Sequence, residues 1–171
     1  MDLRQKVTEA MGGLESLAAK IPGYSGYKEK ETRREADKLL REQLARSFDE
    51  QRRHLLELQK QLISTGQIAL LDDMDSAAVK LQTLIDRIRT ASYGYAGLFD
   101  AVKVKEEQLD TLYEFDNALI EQVGNVEAAL ERIKSALESQ EGVAKAITDL
   151  TTVVRDINDL FTKRQDVILQ V

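Results

Sequence analysis

One seam constrains this chain more than any other feature. From Val102 to Leu137, the positions Val102, Lys105, Leu109, Leu112, Asp116, Leu119, Val123, Val126, Leu130, Ile133 and Leu137 alternate in steps of three and four. A mean step of 3.5 residues holds one helix face against a neighbour through a slow left-handed supercoil. A strand would instead alternate with period two. Gln51, Leu55, Leu58, Leu62, Thr65 and Ala69 keep the same rhythm, as do Ala78, Leu81, Ile85, Ile88 and Ser92. So do Val143, Ile147, Leu150, Val154, Ile157, Phe161, Arg164 and Ile168. Repeated seams of this kind predict an all-α protein, an elongated antiparallel helical bundle with coiled-coil-like heptad packing.

Composition supports this class. Among 171 residues, 32% are charged and only 5% aromatic, with one Pro, no Cys and no Trp. Such a profile belongs to long helices. Without Cys there are no disulfides and no thiolate metal ligands, which fits a cytoplasmic protein. The net charge of −6 argues against nucleic acid as the main partner, because phosphate neutralisation needs a basic face. No apolar run is long enough to span a bilayer.

Three regions follow. Residues 1–21 form a short N-terminal amphipathic helix, with Leu3, Val7, Met11 and Leu14 at helical spacing. Residues 22–27 are a Pro/Gly hinge, since Pro22 and Gly23 stop a helix. Residues 28–171 form the bundle, with helices at about 28–71, 76–92, 101–138 and 142–169. The first long helix is placed from Tyr27 or Lys28, Gly66 interrupts it, and it ends at the acidic run Asp72-Asp73-Met74-Asp75-Ser76. Tyr24 and Tyr27 are expected at a bundle end, near Tyr93 and Tyr95 of a second Gly/Tyr break.

The sequence carries no reactive constellation. His54 is the single histidine, with Glu50 and Glu57 on its helical face, and the paired Glu-x-x-His motifs of a di-iron bundle are not met. Glu106, Glu107, Asp110 and Glu114 read as a solvated helix face with Lys103 and Lys105 beside them. Neither a Gly-x-Ser-x-Gly elbow nor a P-loop is present. The expectation is therefore no enzyme, no catalytic, cofactor-binding or metal residues, and no small-molecule substrate.

Two charge features stand out. Asp116 occupies a seam position where a buried, unpaired carboxylate would cost several kcal/mol. It therefore needs a partner, either a Lys or Arg from the basic start of the long helix or a tyrosine hydroxyl. Lys105 on the same seam raises the same question. Residues 28–60 hold ten Lys or Arg against eight Asp or Glu, a net of +2, while residues 61–171 carry a net of −8. The basic helix is expected to lie along the acidic remainder, by default within one molecule and alternatively between copies.

The segments GYKEKETRREADKLLREQLA and GYAGLFDAVKVKEEQLDTLYEFDNAL resemble a family of short, uncharacterised bacterial helical proteins. The resemblance covers residues 21–46 and 92–120 and implies no catalytic residues. It implies a membrane-stress, band-7-type setting. Together these features point to a scaffold or adaptor that binds protein partners or its own copies. The alternative is a peripheral membrane scaffold that uses the first helix on an anionic surface. Candidate interaction residues are Leu3, Val7, Met11, Leu14, Tyr24, Tyr27, Arg33, Arg34 and Asp116. The hinge decides whether the first helix folds onto its own bundle or reaches outward.

Overall fold

A computed structural model describes residues 3–91 and 97–170, with side chains from residue 12 onward. It is an all-α helical bundle of five helices: α1 (Leu3–Lys20), α2 (Arg33–Ser64), α3 (Leu71–Thr90), α4 (Glu106–Ser139) and α5 (Val143–Leu169). The heptad positions become the core. Leu55, Leu58 and Leu62 of α2 are buried together with Leu81, Ile85 and Ile88 of α3, and with the seams of α4 and α5. Each such side chain contributes about 1.5–3 kcal/mol by leaving water.

The helices pair as two antiparallel hairpins, α2 with α3 and α4 with α5. The hairpins then stack, α2 against α4 and α3 against α5, so four helices form a ring. Neighbours across the stack run parallel. Arg87 near the end of α3 donates to Asn158 Oδ1 (2.7 Å) and Thr162 Oγ1 (2.9 Å) near the end of α5. The guanidinium of Arg87 also lies 5.5 Å from the centre of the Phe161 ring. Antiparallel order therefore holds within each hairpin only. The start of α4 lies diagonally across the ring from the end of α3, which explains the long link between them. Short turns join the members of each hairpin.

Several helix ends differ from the sequence expectation, each for a local reason. α2 stops at Ser64 and not at the acidic run. Gly66 adopts φ 78°, its N–H bonds Ile63 O (3.1 Å), and the Gln67 N–H bonds Leu62 O (3.2 Å). This paired arrangement uses up the last carbonyls, and a left-handed residue there favours glycine. Asp72 and Asp73 lie in the first turn of α3, where their charge suits the positive helix end. α2 also begins later than Tyr27 or Lys28, at Arg33 after a 3-10 turn over Lys30–Thr32. The segment before it is held by side chains in a non-helical path.

α4 begins at Glu106, so the seam starts at Leu109. Val102 is 81% exposed, and Lys105 is an exposed cap residue whose N–H bonds Gln108 Oε1 at 3.2 Å. Lys105 therefore needs no buried partner. At the far pole, Gln140 and Gly142 adopt left-handed conformations and reverse the chain in three residues.

α1 folds back along the outside of α4. Asn117 Nδ2 donates to Gly13 O (3.0 Å), Leu14 is half-buried against the core, and Leu17 and Ile21 are fully buried. The side chains of Leu3, Val7 and Met11 lie outside the described residues, as do Tyr93 and Tyr95. The two chain breaks do meet at one pole through their described parts. Phe99 in the 3-10 turn Gly97–Phe99 lies 6.1 Å from the Tyr27 ring, centre to centre.

That crossing depends on Gly97. It adopts φ 65°, and a Cβ there would sit 2.5 Å from the Ile168 carbonyl oxygen. Gly97→Ala is expected to lose about 1–2 kcal/mol from the left-handed backbone alone, with the clash adding to it. Chemical denaturation checks this, and an unchanged midpoint would show that the end of α5 yields freely.

Candidate functional site, a buried ionic cluster at the hinge pole

Asp116 has the partners its position demands. It and Arg164 are both 0% exposed, and Arg164 Nε donates to Asp116 Oδ1 at 2.5 Å. The Tyr27 hydroxyl donates to Asp116 Oδ2. Arg164 Nη2 donates to Asp37 Oδ1 (2.7 Å), whose other oxygen accepts from Arg41 Nε (2.7 Å). Arg41 also donates through Nη1 to the carbonyls of Ile88 (3.2 Å) and Arg89 (3.1 Å), closing the end of α3. Two carboxylates and two guanidiniums thus balance across α2, α4 and α5.

The cluster clamps the hinge. The Tyr27 N–H donates to Tyr113 Oη at 2.7 Å, and Arg33 Nε donates to Tyr27 O at 2.8 Å. Arg33 Nη1 reaches the carbonyls of Leu98 (3.1 Å) and Ala101 (2.8 Å), tying the start of α2 to the pole crossing. The Tyr24 ring meets the Tyr27 ring edge-on at 6.0 Å, and the Tyr113 ring lies 5.3 Å from it at a tilt of 31°. Tyr27, in the non-helical stretch before α2, therefore has both backbone groups bonded by side chains, which is what lets it be buried.

Burial sets the acid–base character of these groups. It pushes the Tyr27 phenol well above its usual value, and the Asp116 carboxylate adds to the push. Tyr24 and Tyr113 are also raised, first by burial. The Asp116 carboxyl is raised by burial as well, with Arg164 and the Tyr27 hydroxyl opposing. A buried ion cluster adds little net stability over an apolar core of equal packing, because desolvation offsets attraction. What it fixes is register, since Asp116 of α4 and Asp37 of α2 converge on the one guanidinium of Arg164 in α5.

The expected interaction residues divide accordingly. Tyr24, Tyr27, Arg33 and Asp116 are brought together, and all are buried. Their side chains are turned into the pole. Arg34 alone faces solvent, in an exposed ion pair with Asp100 at 2.7 Å. The tyrosine hydroxyl expected for Asp116 is present. The cation, though, comes from α5, and the start of α2 supplies the acid Asp37 in place of a base. Asp37, Arg41 and Arg164 were missed as members of the site. Arg164 carried a visible signal, a charge on an α5 seam position.

His54 is exposed and opens on a shallow groove with Glu127, Glu131 and Lys134 of α4. Glu106, Glu107 and Glu114 are exposed. Among the described residues, no three His, Cys, Asp or Glu side chains are placed to hold a metal ion. None of the described helices is long and apolar enough to cross a membrane. Comparison with protein-family models, with curated proteins and with solved structures finds no match.

Proposed function

We propose that the chain is a non-enzymatic helical-bundle scaffold or adaptor that works through protein–protein contact, including contact with its own copies. The observation that carries this is the tip of the α2–α3 hairpin. Ile63 and Ile68 are 51% and 63% exposed there, with half-buried Leu70 and Leu71 beside them. The neighbouring turn of the other hairpin, Ser139-Gln140-Glu141-Gly142, is polar. Two exposed isoleucines beside two half-buried leucines at one hairpin tip favour a partner surface, because clustered exposed apolar residues mark interaction sites.

The experiment pairs crosslinked affinity purification from the native cell with light scattering of the pure chain. Ile63→Ser/Ile68→Ser is expected to fold within about 0.5 kcal/mol of the parent, as surface changes do, and to lose the captured partner. Equal capture by both would overturn the role of the tip. A strict monomer at every concentration would remove the self-associating part. The alternative, a peripheral scaffold that lays α1 on a membrane, draws less support. Leu17 and Ile21 already face the core, so lifting that end of α1 would return their apolar surface to water. Co-sedimentation of the intact chain with anionic vesicles would reverse this ranking.

A further inference from the structure

The charge imbalance between the basic helix and the rest is not neutralised where the sequence places it by default. The cations of α2 pair largely within α2: Arg52 and Arg53 with Asp49, Lys60 with Glu57, and Arg41 with Asp37. Arg34 reaches Asp100 on the pole crossing. Lys38 and Arg46 are the exposed cations of α2 that make no ion pair among the described residues, and they leave a basic surface facing outward.

That surface shapes a half-open groove of about 610 Å³ between the first half of α2 and the end of α3. Its rim carries Arg34, Lys38, Arg46 and Arg89 against Glu35 and Glu42, while Asp37 and Arg41 neutralise each other beneath. Lys38 and Arg89 make no ion pair among the described residues. The cations at 34, 38 and 46 span about 18 Å along the helix, at 1.5 Å per residue. A row of that length suits an extended helical face better than a compact anion. The interleaved glutamates would repel a dense polyanion such as nucleic acid.

A complementary surface exists on the other hairpin. Asp156, Asp159 and Asp166 are exposed on one outer face of α5, with half-buried Leu160 among them. Asp159 and Asp166 make no ion pair among the described residues, whereas Asp156 pairs with Arg155 at 3.0 Å, and Arg155 and Lys163 are the basic residues among them. Because α2 and α5 are diagonal in the ring, the groove and the acidic face lie on different hairpins. Two copies cannot satisfy both surfaces by a single two-fold contact. The match is head-to-tail and leaves a free groove and a free acidic face at the ends.

We propose that the groove takes the acidic α5 face of a second copy of this chain. This rests on the self-associating part of the function proposed above and names its surface. The test is light scattering of the full chain and two charge-reversed variants, Lys38→Glu/Arg89→Glu and Asp159→Lys/Asp166→Lys. All the changed side chains are exposed, and circular dichroism verifies that both variants fold. At low salt the parent is expected to reach at least twice the monomer mass. It should return to monomer near 1 M salt, where the screening length is about 3 Å. Each variant alone is expected to stay monomeric, and an equimolar mixture of the two to assemble again, because reversed groove then meets reversed face.

A parent that never assembles overturns both this proposal and the self-association above. If the parent assembles and either variant still does so alone, only the groove assignment is overturned. Inorganic phosphate serves as a separate probe. If phosphate raises the Tm of a monomeric parent but not that of Lys38→Glu/Arg89→Glu, the groove holds a free anion, and the second copy is overturned as its occupant.

Discussion

Arg164→Met is expected to cost the folded chain about 3–5 kcal/mol at neutral pH, the range for breaking a buried ion cluster by removing one partner. The side chain is fully buried and bonds Asp116 and Asp37 at once, so its loss leaves net negative charge inside the bundle. Arg41 still compensates Asp37, while Asp116 keeps only the Tyr27 hydroxyl. The penalty should depend on pH with a definite sign. Without Arg164 the folded-state pKa of Asp116 rises further above its unfolded value, so the folded variant binds the extra proton. Its stability then falls as pH rises through that window, and the gap to the parent is smallest near and below the ordinary carboxylate range, about pH 4. Denaturant midpoints at several pH values read this directly. Adding Asp116→Leu should restore part of the loss, since the neutral Asp37–Arg41 pair remains, and the double-mutant cycle gives the coupling. A single-variant loss below about 1 kcal/mol at neutral pH would mean that water enters and solvates the cluster.

The same residues show which parts of the structure were legible beforehand. The heptad rhythm of Leu109, Leu112, Leu119, Val126, Leu130, Ile133 and Leu137 reported a buried face, because a helix repeats its side-chain directions locally. Asp116 stood out on that face for the same reason. Which helix would supply its partner was not legible. Arg164 reaches it only because α4 and α5 form a hairpin, and Asp37 only because the hairpins stack with α2 beside α4. Those are tertiary facts, and Arg164 and Asp37 each sit on a locally sound helix.

The start of α2 was misplaced on similar grounds. Residues 27–32 are rich in helix formers, yet bonds from Arg33 to Tyr27 O and from the Tyr27 N–H to Tyr113 Oη hold the chain in another path. Long-range side-chain bonds thereby override weak local propensity. Gly66 is the opposite case. Its helix-ending signal is local, a left-handed glycine that stops α2 before the acidic run is reached.

The pole should also make the protein sensitive to alkali. Tyr24, Tyr27 and Tyr113 are all buried, and all three phenols are raised above the ordinary value of 10.0, chiefly by burial. In the unfolded chain they would ionise near 10, so above that pH the unfolded state releases protons that the folded state retains. Stability is thus fully present below pH 10 and is lost as pH rises above it. Each phenol contributes a slope of at most about 1.4 kcal/mol per pH unit, and only over the range in which the fold keeps it protonated. Phenolate absorbance and helical circular dichroism, followed together with Tyr93 and Tyr95 changed to Phe, should then move in one cooperative step. Tyr27→Phe removes a phenol and should flatten the pH slope, although it also costs the bond to Asp116. Phenolates that appear gradually near pH 10 over an intact helical signal would show that the hinge opens without the bundle. The clamp from Tyr27 to Asp116 would then be a local latch rather than part of the cooperative core.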